Sequence, residues 1–216
     1  PSGWAEITVH RKIELENLLQ MQVNLIVSND GSNNLHELDA LLKLDPSIDL
    51  VNSKTNRGKG HALRSGFEKS KAEIVLFTDA DFPYEMASIK AMIEALQNGA
   101  DVALGYREDD YYASVPWFRK GLSEAFRFVL KSVLKFPITD TQCGLKGMNK
   151  KGKSTFLQTK IDRFLVDMEF IKLAVNQQDL TIQPVVVKLR PNVEFSSMGV
   201  LVLLRELWNF VRVILN

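Results

Sequence analysis

Cysteine is nearly absent. Cys143 is the only one in 216 residues, so no disulfide forms within the chain, which suits a reducing compartment. Histidine is scarce as well, at three, and one Cys with three His leaves little for a zinc site. No run of about 18 uncharged apolar residues occurs, so no segment reads as membrane-spanning. The opening Pro1-Ser2-Gly3-Trp4 lacks the basic head and apolar core of a signal peptide. Gly and Pro number 12 and 7, too few for collagen or low-complexity arrays. Neither sign of charge dominates: 27 Lys+Arg against 26 Asp+Glu gives +1. What remains is ordinary globular composition, 45% hydrophobic and 25% charged, with length for one domain and a sizeable core. There is no internal repeat and no linker-like stretch.

The small net charge hides an asymmetry. Residues 111–160 hold ten Lys or Arg and only two acids, Glu124 and Asp140. That segment carries +8 and the remainder −7. Such a segment is either a solvated helix face or a seat for an anion: phosphate, a membrane surface or nucleic acid. Nucleic acid fits worst, because the basic residues lack glycine-aromatic interleaving and no helix-turn-helix or zinc-ligand pattern occurs.

Residues 5–20 read as a helix, then 23–27 as a short apolar strand that stops at Ser28-Asn29-Asp30-Gly31-Ser32. A helical pattern spans 35–44 and ends before Pro46. Further strands are expected at 48–52, 73–78 and 101–105. Helices are expected after Gly58 and over 83–98, closed by Gly99. Alternation of this kind predicts a mostly parallel central sheet flanked by helices. Beyond residue 110 it fades into the amphipathic stretch Pro116–Phe136, loops, a helix over 164–176 and a strand over 181–189.

Ligands of open α/β sheets bind at the carboxyl ends of strands. Asp79-Ala80-Asp81 follows the most apolar strand. Residues two apart in an extended segment face one way. The pair could hold Mg²⁺ or Mn²⁺ on a diphosphate, or could be a solvated turn with a capping acid. Asp30 could accept from a base or ribose hydroxyl, or mark a generic turn. The loop Asn56-Arg57-Gly58-Lys59-Gly60-His61 could embrace phosphate, although it has neither P-loop nor dinucleotide-fingerprint spacing. Asp140-Thr141-Gln142-Cys143-Gly144-Leu145-Lys146 is polar between apolar stretches. Asp167 and Glu169 could be first-turn acids, or one could orient an acceptor or act as a base.

Together these motifs resemble family-2 glycosyltransferases, above all the polyprenyl-phosphate (dolichyl-phosphate) sugar synthases. The order is Val27-Ser28-Asn29-Asp30-Gly31-Ser32, Asn56-Arg57-Gly58-Lys59-Gly60, Phe77-Thr78-Asp79-Ala80-Asp81, Gly105-Tyr106-Arg107, Asp140-Thr141-Gln142-Cys143-Gly144 and Phe164-x-x-Asp167-x-Glu169. The resemblance covers about residues 23 to 197 and implies the nucleotide-diphospho-sugar transferase (GT-A) fold over 1–199. It also implies a metal-dependent inverting transfer from a GDP- or UDP-sugar. Asp30 would contact the nucleoside and Lys59 would lie near the donor. Asp79 would face ribose or diphosphate, Asp81 would be the main Mg²⁺ or Mn²⁺ ligand, and Gln142 a further one. Arg107 and Arg119 resemble arginines that hold an acceptor phosphate, and Ser196 and Ser197 a closing loop. A lipid phosphate is already an anion and needs no strong base. A saccharide hydroxyl would need one, and Asp140 or Asp167 would be the candidates.

The family opens with a strand of the form V-V-I-P-x-Y-N-E, which this sequence does not contain. That strand is expected near the middle of the sheet, so either the chain is a shortened product or another segment fills the slot; left unfilled, the slot would cost about several kcal/mol and weaken nucleotide binding. Residues 200–216 have 12 apolar positions, with Arg205, Glu206, Asn209, Arg212 and Asn216 forming a polar stripe. They read as a C-terminal amphipathic helix that lies in a membrane interface or docks on the domain. A peripheral contact at the cytoplasmic, inner face of a membrane is expected. Two other readings stand beside this one: a soluble family-2 enzyme extending a polysaccharide, and a non-catalytic glycosyltransferase-like domain.

Overall fold

The computed structural model describes residues 3–32, 35–107, 131 and 135–191. Apolar runs that end in polar turns become strands, and the amphipathic segments between them become helices. The first half alternates: α1 (Trp4–Leu19), β1 (Ile26–Asp30), α2 (Leu35–Leu44), β2 (Asp49–Ser53), α3 (Lys59–Lys69), β3 (Ile74–Phe77), α4 (Met86–Gln97) and β4 (Val102–Tyr106). The second half supplies β5 (Lys146–Asn149), α5 (Lys150–Phe156), α6 (Val166–Asn176) and β6 (Ile182–Val186).

The described strands form two sheets. One is β1–β2, paired in parallel, and the other has the order β3-β5-β4-β6. Within the larger sheet β4 and β6 are parallel, and β5 alone runs against its neighbours. β6 lies at an edge, where Pro184, lacking an N–H, is tolerated. Side chains alternate across this sheet. Val102 and Leu104 enter one apolar cluster and Ala103 the other. The first cluster holds Phe67, Phe77, Phe156 and Phe170, with ring centroids 4.8–5.9 Å apart in edge and tilted contacts. The second is closed by α4 through Ile89, Met92 and Leu96.

β5 and α5 fall where the sequence reads as loops. Lys146-Gly147-Met148-Asn149 carries one strong apolar side chain, and its Lys is fully buried. Gly147 fits because α4 packs close: a Cβ there would meet Leu96 Cδ1 at 2.9 Å. α5 starts because the Asn149 side chain accepts from the backbone N–H of Lys151 and Gly152.

α1 is tied on by side chains. Glu37 of α2 accepts from Gly3 N at 2.9 Å and Ala5 N at 3.3 Å, satisfying orphan donors of the helix start. Lys12 pairs with Asp45 at 2.7 Å, and Thr8 Oγ1 donates to Ala80 O at 2.9 Å. Among the described residues no helix is long and apolar enough to cross a membrane. Arg119, Ser196, Ser197, the 200–216 stretch and nearly all of Pro116–Phe136 lie outside the described residues.

Candidate functional site

The polar loops gather at one end of the strands. Asp30 closes β1 and is half-buried. Its Oδ1 accepts from Arg57 N at 3.0 Å and its Oδ2 from Gly58 N at 2.6 Å. The two loops touch closely at Gly31, whose φ is +72° and where a Cβ would meet Thr55 and Asn56 backbone atoms at 2.5 Å. Each Asp30 oxygen keeps a second lone pair. Gly58 and Lys59 then open α3.

Lys59 points inward. Its Nζ lies 2.7 Å from Asp167 Oδ2, and 5.5 Å from the centre of the Phe77 ring. On the other side Lys146 Nζ lies 2.8 Å from Asp167 Oδ1 and donates to the carbonyls of Thr141 at 3.1 Å and Cys143 at 2.6 Å. Asp167 is fully buried. Burial alone would raise its pKa, but Lys146 and Lys59 outweigh it and hold the carboxyl below the usual range. Burial likewise opposes the Lys59 charge, and Asp167 and Asp79 outweigh it, so its pKa is raised.

Asp79 and Asp81 follow β3. Asp79 is open to solvent on one side, yet protein crowds its carboxyl and pushes its pKa up, with Asp81 and Asp167 adding while Lys59 and Lys146 oppose. Gly144 lies against it: a Cβ there would meet Asp79 Oδ2 at 2.6 Å. The following turn places buried Phe82 at φ +46°, a strained conformation for a bulky residue. That turn is held by Phe82 N donating to Asp79 O at 3.0 Å, and by Arg190 donating to the Asp81 and Phe82 carbonyls at 3.2 Å.

The Asp140–Gly144 loop is pinned at several points. Arg107, just past β4, grips Asp140 with Nε and Nη2, both at 2.8 Å, and with its backbone N at 3.0 Å. Lys146 holds two of the loop's carbonyls, and Gly144 N donates to Tyr84 Oη at 2.8 Å. Burial pushes up both the Tyr84 hydroxyl and the Cys143 thiol beside it. Gln142 stands exposed in the middle of this pinned loop.

The sequence-predicted residues Asp30, Lys59, Asp79, Asp81, Arg107, Asp140, Gln142 and Asp167 thus belong to loops and helix starts that meet at the ends of β1, β3 and β4. Glu169 does not join Asp167, because its Oε2 accepts from Lys160 N at 2.9 Å and Ile161 N at 2.8 Å. Sequence reasoning missed Lys146 and Tyr84. The signal for Lys146 was its place among Leu145, Gly147 and Met148, an apolar setting for an ammonium group.

Among the described residues no cluster of three His, Cys, Asp or Glu could by itself hold a metal. Asp79, Asp81 and the Gln142 amide oxygen are hard oxygen donors, which suit Mg²⁺ or Mn²⁺. The like charges around Asp79 are what a cation would relieve.

Residues 10–154 match the family described as Glycosyl transferase family 2. The chain is 31% identical over 129 residues to the Homo sapiens protein named dolichyl-phosphate beta-glucosyltransferase, covering 55% of this chain and 40% of that one. It is 33% identical over 98 residues to the bactoprenol glucosyl transferase of Shigella phage SfX, covering 44% and 32%. The match thus spans less than half the length of these relatives. Among solved structures, glucosyl-3-phosphoglycerate synthase from Mycobacterium tuberculosis in complex with Mn²⁺ and UDP-glucose superposes with a TM-score of 0.63 at 16% identity, covering 97% of this chain and 72% of that one. The fold is therefore GT-A, an α/β sheet flanked by helices.

Proposed function

Because the chain belongs to glycosyl transferase family 2, we propose that it transfers a hexose from a nucleotide-diphospho-sugar to a polyprenyl phosphate, with inversion. One observation carries the choice of acceptor. The two carboxylates named as candidate bases are held in ion pairs: Asp140 by the Arg107 fork and Asp167 by two lysines. A saccharide hydroxyl needs a base to take its proton, whereas a phosphate arrives ionised. The names of the human and phage relatives point the same way.

Asp81, Asp79 and Gln142 would hold Mg²⁺ or Mn²⁺, which when bound supplies positive charge at the departing diphosphate. Asp30 accepts from the nucleoside while keeping the Arg57–Gly58 backbone in place. Lys59, held by Asp167, adds positive charge near Asp79. Arg107 and Arg119 would align the acceptor phosphate. A phosphate oxygen bonds to the anomeric carbon from the face opposite the leaving group. The bond from that carbon to the diphosphate breaks, and its electron pair leaves with the nucleotide. Asp140 and Asp167 act in this scheme by positioning. The basic 111–160 segment and the 200–216 stretch would meet the cytoplasmic face of a membrane, where a lipid phosphate lies.

Calorimetric titration with UDP, and separately GDP, with and without Mn²⁺, tests the donor site. Manganese-dependent binding of one nucleotide, abolished in Asp81→Ala, is expected. Full metal-dependent binding by Asp81→Ala would refute the metal role. Liposome flotation with anionic vesicles tests the membrane contact, and absence of binding would count against it.

A further inference from the structure

We propose that Arg64 is a positioning residue of the donor site: it fastens residues 159–163 over the start of α3 and thereby sets the backbone that aims the Asp30 carboxylate. The proposal rests on the reading above that Asp30 meets the nucleoside.

The segment 159–163 joins α5 to α6 and packs against the glycine-rich loop that opens α3. The Asp162 carbonyl accepts from Gly60 N at 2.7 Å and His61 N at 3.3 Å. Asp30 takes the Arg57 and Gly58 N–H groups. Four N–H groups of the loop are thus satisfied by protein, so they serve the packing of two segments rather than a phosphate. The glycines fit the same purpose. A Cβ on Gly60 would run into the Ile161 carbonyl oxygen, and one on Gly58, whose φ is +119°, into that of Asp162. With no room for even a methyl group between them, the two backbones are hydrogen-bonded at van der Waals distance and shift together.

Arg64 holds that contact in register. It sits one turn beyond Gly60 in α3, and its side chain is 15% exposed. Its Nη1 donates to Thr159 Oγ1 at 3.2 Å and to the Ile161 carbonyl at 3.0 Å, and its Nη2 pairs with Asp162 Oδ1. One planar guanidinium thus ties Thr159, Ile161 and Asp162 to the helix whose start they cover. Thr159 and Ile161 are buried, so acceptors freed there are costly. Other contacts do not replace this one. Glu169 anchors the segment to α6, through Lys160 N and Ile161 N. Lys59 and Asp167 join α3 to α6 beyond the segment. Arg57 also reaches Asp162, at 3.3 Å, but that pair is largely exposed and contributes little.

The test compares Arg64→Met with Gly60→Ala, which pushes the segment away without removing the guanidinium. Calorimetric titration with UDP, and separately GDP, each with Mn²⁺, reads the donor site. Amide hydrogen exchange followed by NMR reads Gly58, and steady-state transfer separates kcat from the donor KM. In both variants nucleotide binding should weaken about three- to thirtyfold, and the donor KM should rise while kcat stays within about twofold. The Gly58 amide should exchange at least about tenfold faster, with β4 amides unchanged. An unchanged Gly58 rate, or unchanged nucleotide affinity in Arg64→Met, would overturn the proposal. Exchange that speeds up equally at Gly58 and in β4 would mark a general loss of stability and overturn it too. Failure of the donor reading shows differently, as a wild type that binds neither nucleotide or an Asp30→Ala variant that binds as the wild type does. That result would remove the premise, whereas the Gly58 rate, measured without nucleotide, reports on Arg64 itself.

Discussion

Replacing Asp167 with Asn tests the buried ion cluster most sharply. The side chain keeps its shape and loses its charge. At present two ammonium groups sit at 2.7 and 2.8 Å from its two oxygens. Asn offers one acceptor oxygen, and its amide nitrogen would face the other ammonium as donor against donor. Lys59 is 20% exposed and can relax towards Asp79 or solvent. Lys146 is fully buried and cannot reach water. Leaving such a charge uncompensated costs about 3–5 kcal/mol, a large share of the ~5–15 kcal/mol that holds a domain together. Equilibrium urea unfolding followed by circular dichroism should show a midpoint lower by ~1–3 M. Lys146→Met should cost less, because Asp167 keeps Lys59 at 2.7 Å and loses one of its two partners, while two buried carbonyls lose theirs. The double variant should cost less than the two singles together, with a coupling of about 2–3 kcal/mol. The sign with pH follows from the depressed Asp167 pKa. Its contribution is complete above the unfolded carboxylate value near ~4 and is lost as pH falls through the lower folded value, so the Asn variant should lack that acid limb. A destabilisation below about 1 kcal/mol, or additive single effects, would refute the reasoning.

Other expectations follow from single contacts. Gly144→Ala drives a Cβ to within 2.6 Å of Asp79 Oδ2. The carboxylate can swing aside, so the Tm should barely change while Mn²⁺-dependent nucleotide binding weakens about tenfold, or ~1.4 kcal/mol, by calorimetry. Asp45 is held at about 2 by Lys12 and Ser47, so its contribution is complete above the unfolded value near ~4. It should fade as pH falls from about 5 to 2, by roughly 1–2 kcal/mol, and this part of the acid profile should shrink in Lys12→Met, with the Ser47 hydrogen bonds retaining the rest. Arg119→Ala should spare donor binding and lower transfer to a lipid phosphate, measured with a radiolabelled sugar donor.

Much of the first half was legible because its apolar runs are short, dense and punctuated. The 73–78 run became β3 within a residue or two at each end, and the 83–98 pattern became α4. Asp30, Asp79 and Asp81 were legible as candidates because each follows such a run. β5 was not, because its burial is tertiary: Lys146 is enclosed by partners far along the chain, and Gly147 by α4. α5 was hidden for a similar reason. Its Lys-rich start has no apolar stripe, and its anchors are the Asn149 cap and the single ring of Phe156. The role of Tyr84 was invisible too, since its hydroxyl meets the Cys143–Gly144 segment 60 residues away.

The pinned loop also carries its own clock. Cys143 is the only thiol of the chain, it is fully buried, and its sulfur rests 3.4 Å from the Tyr84 hydroxyl. A thiol reagent reaches it when the Asp140–Gly144 loop lifts away, so at reagent concentrations where modification outruns reclosing the labelling rate counts openings of the segment that carries Gln142. No engineered probe is needed, since in that regime every modified molecule records one event at one place. Comparing the rate with and without nucleotide and Mn²⁺ turns a buried side chain into a stopwatch for the site.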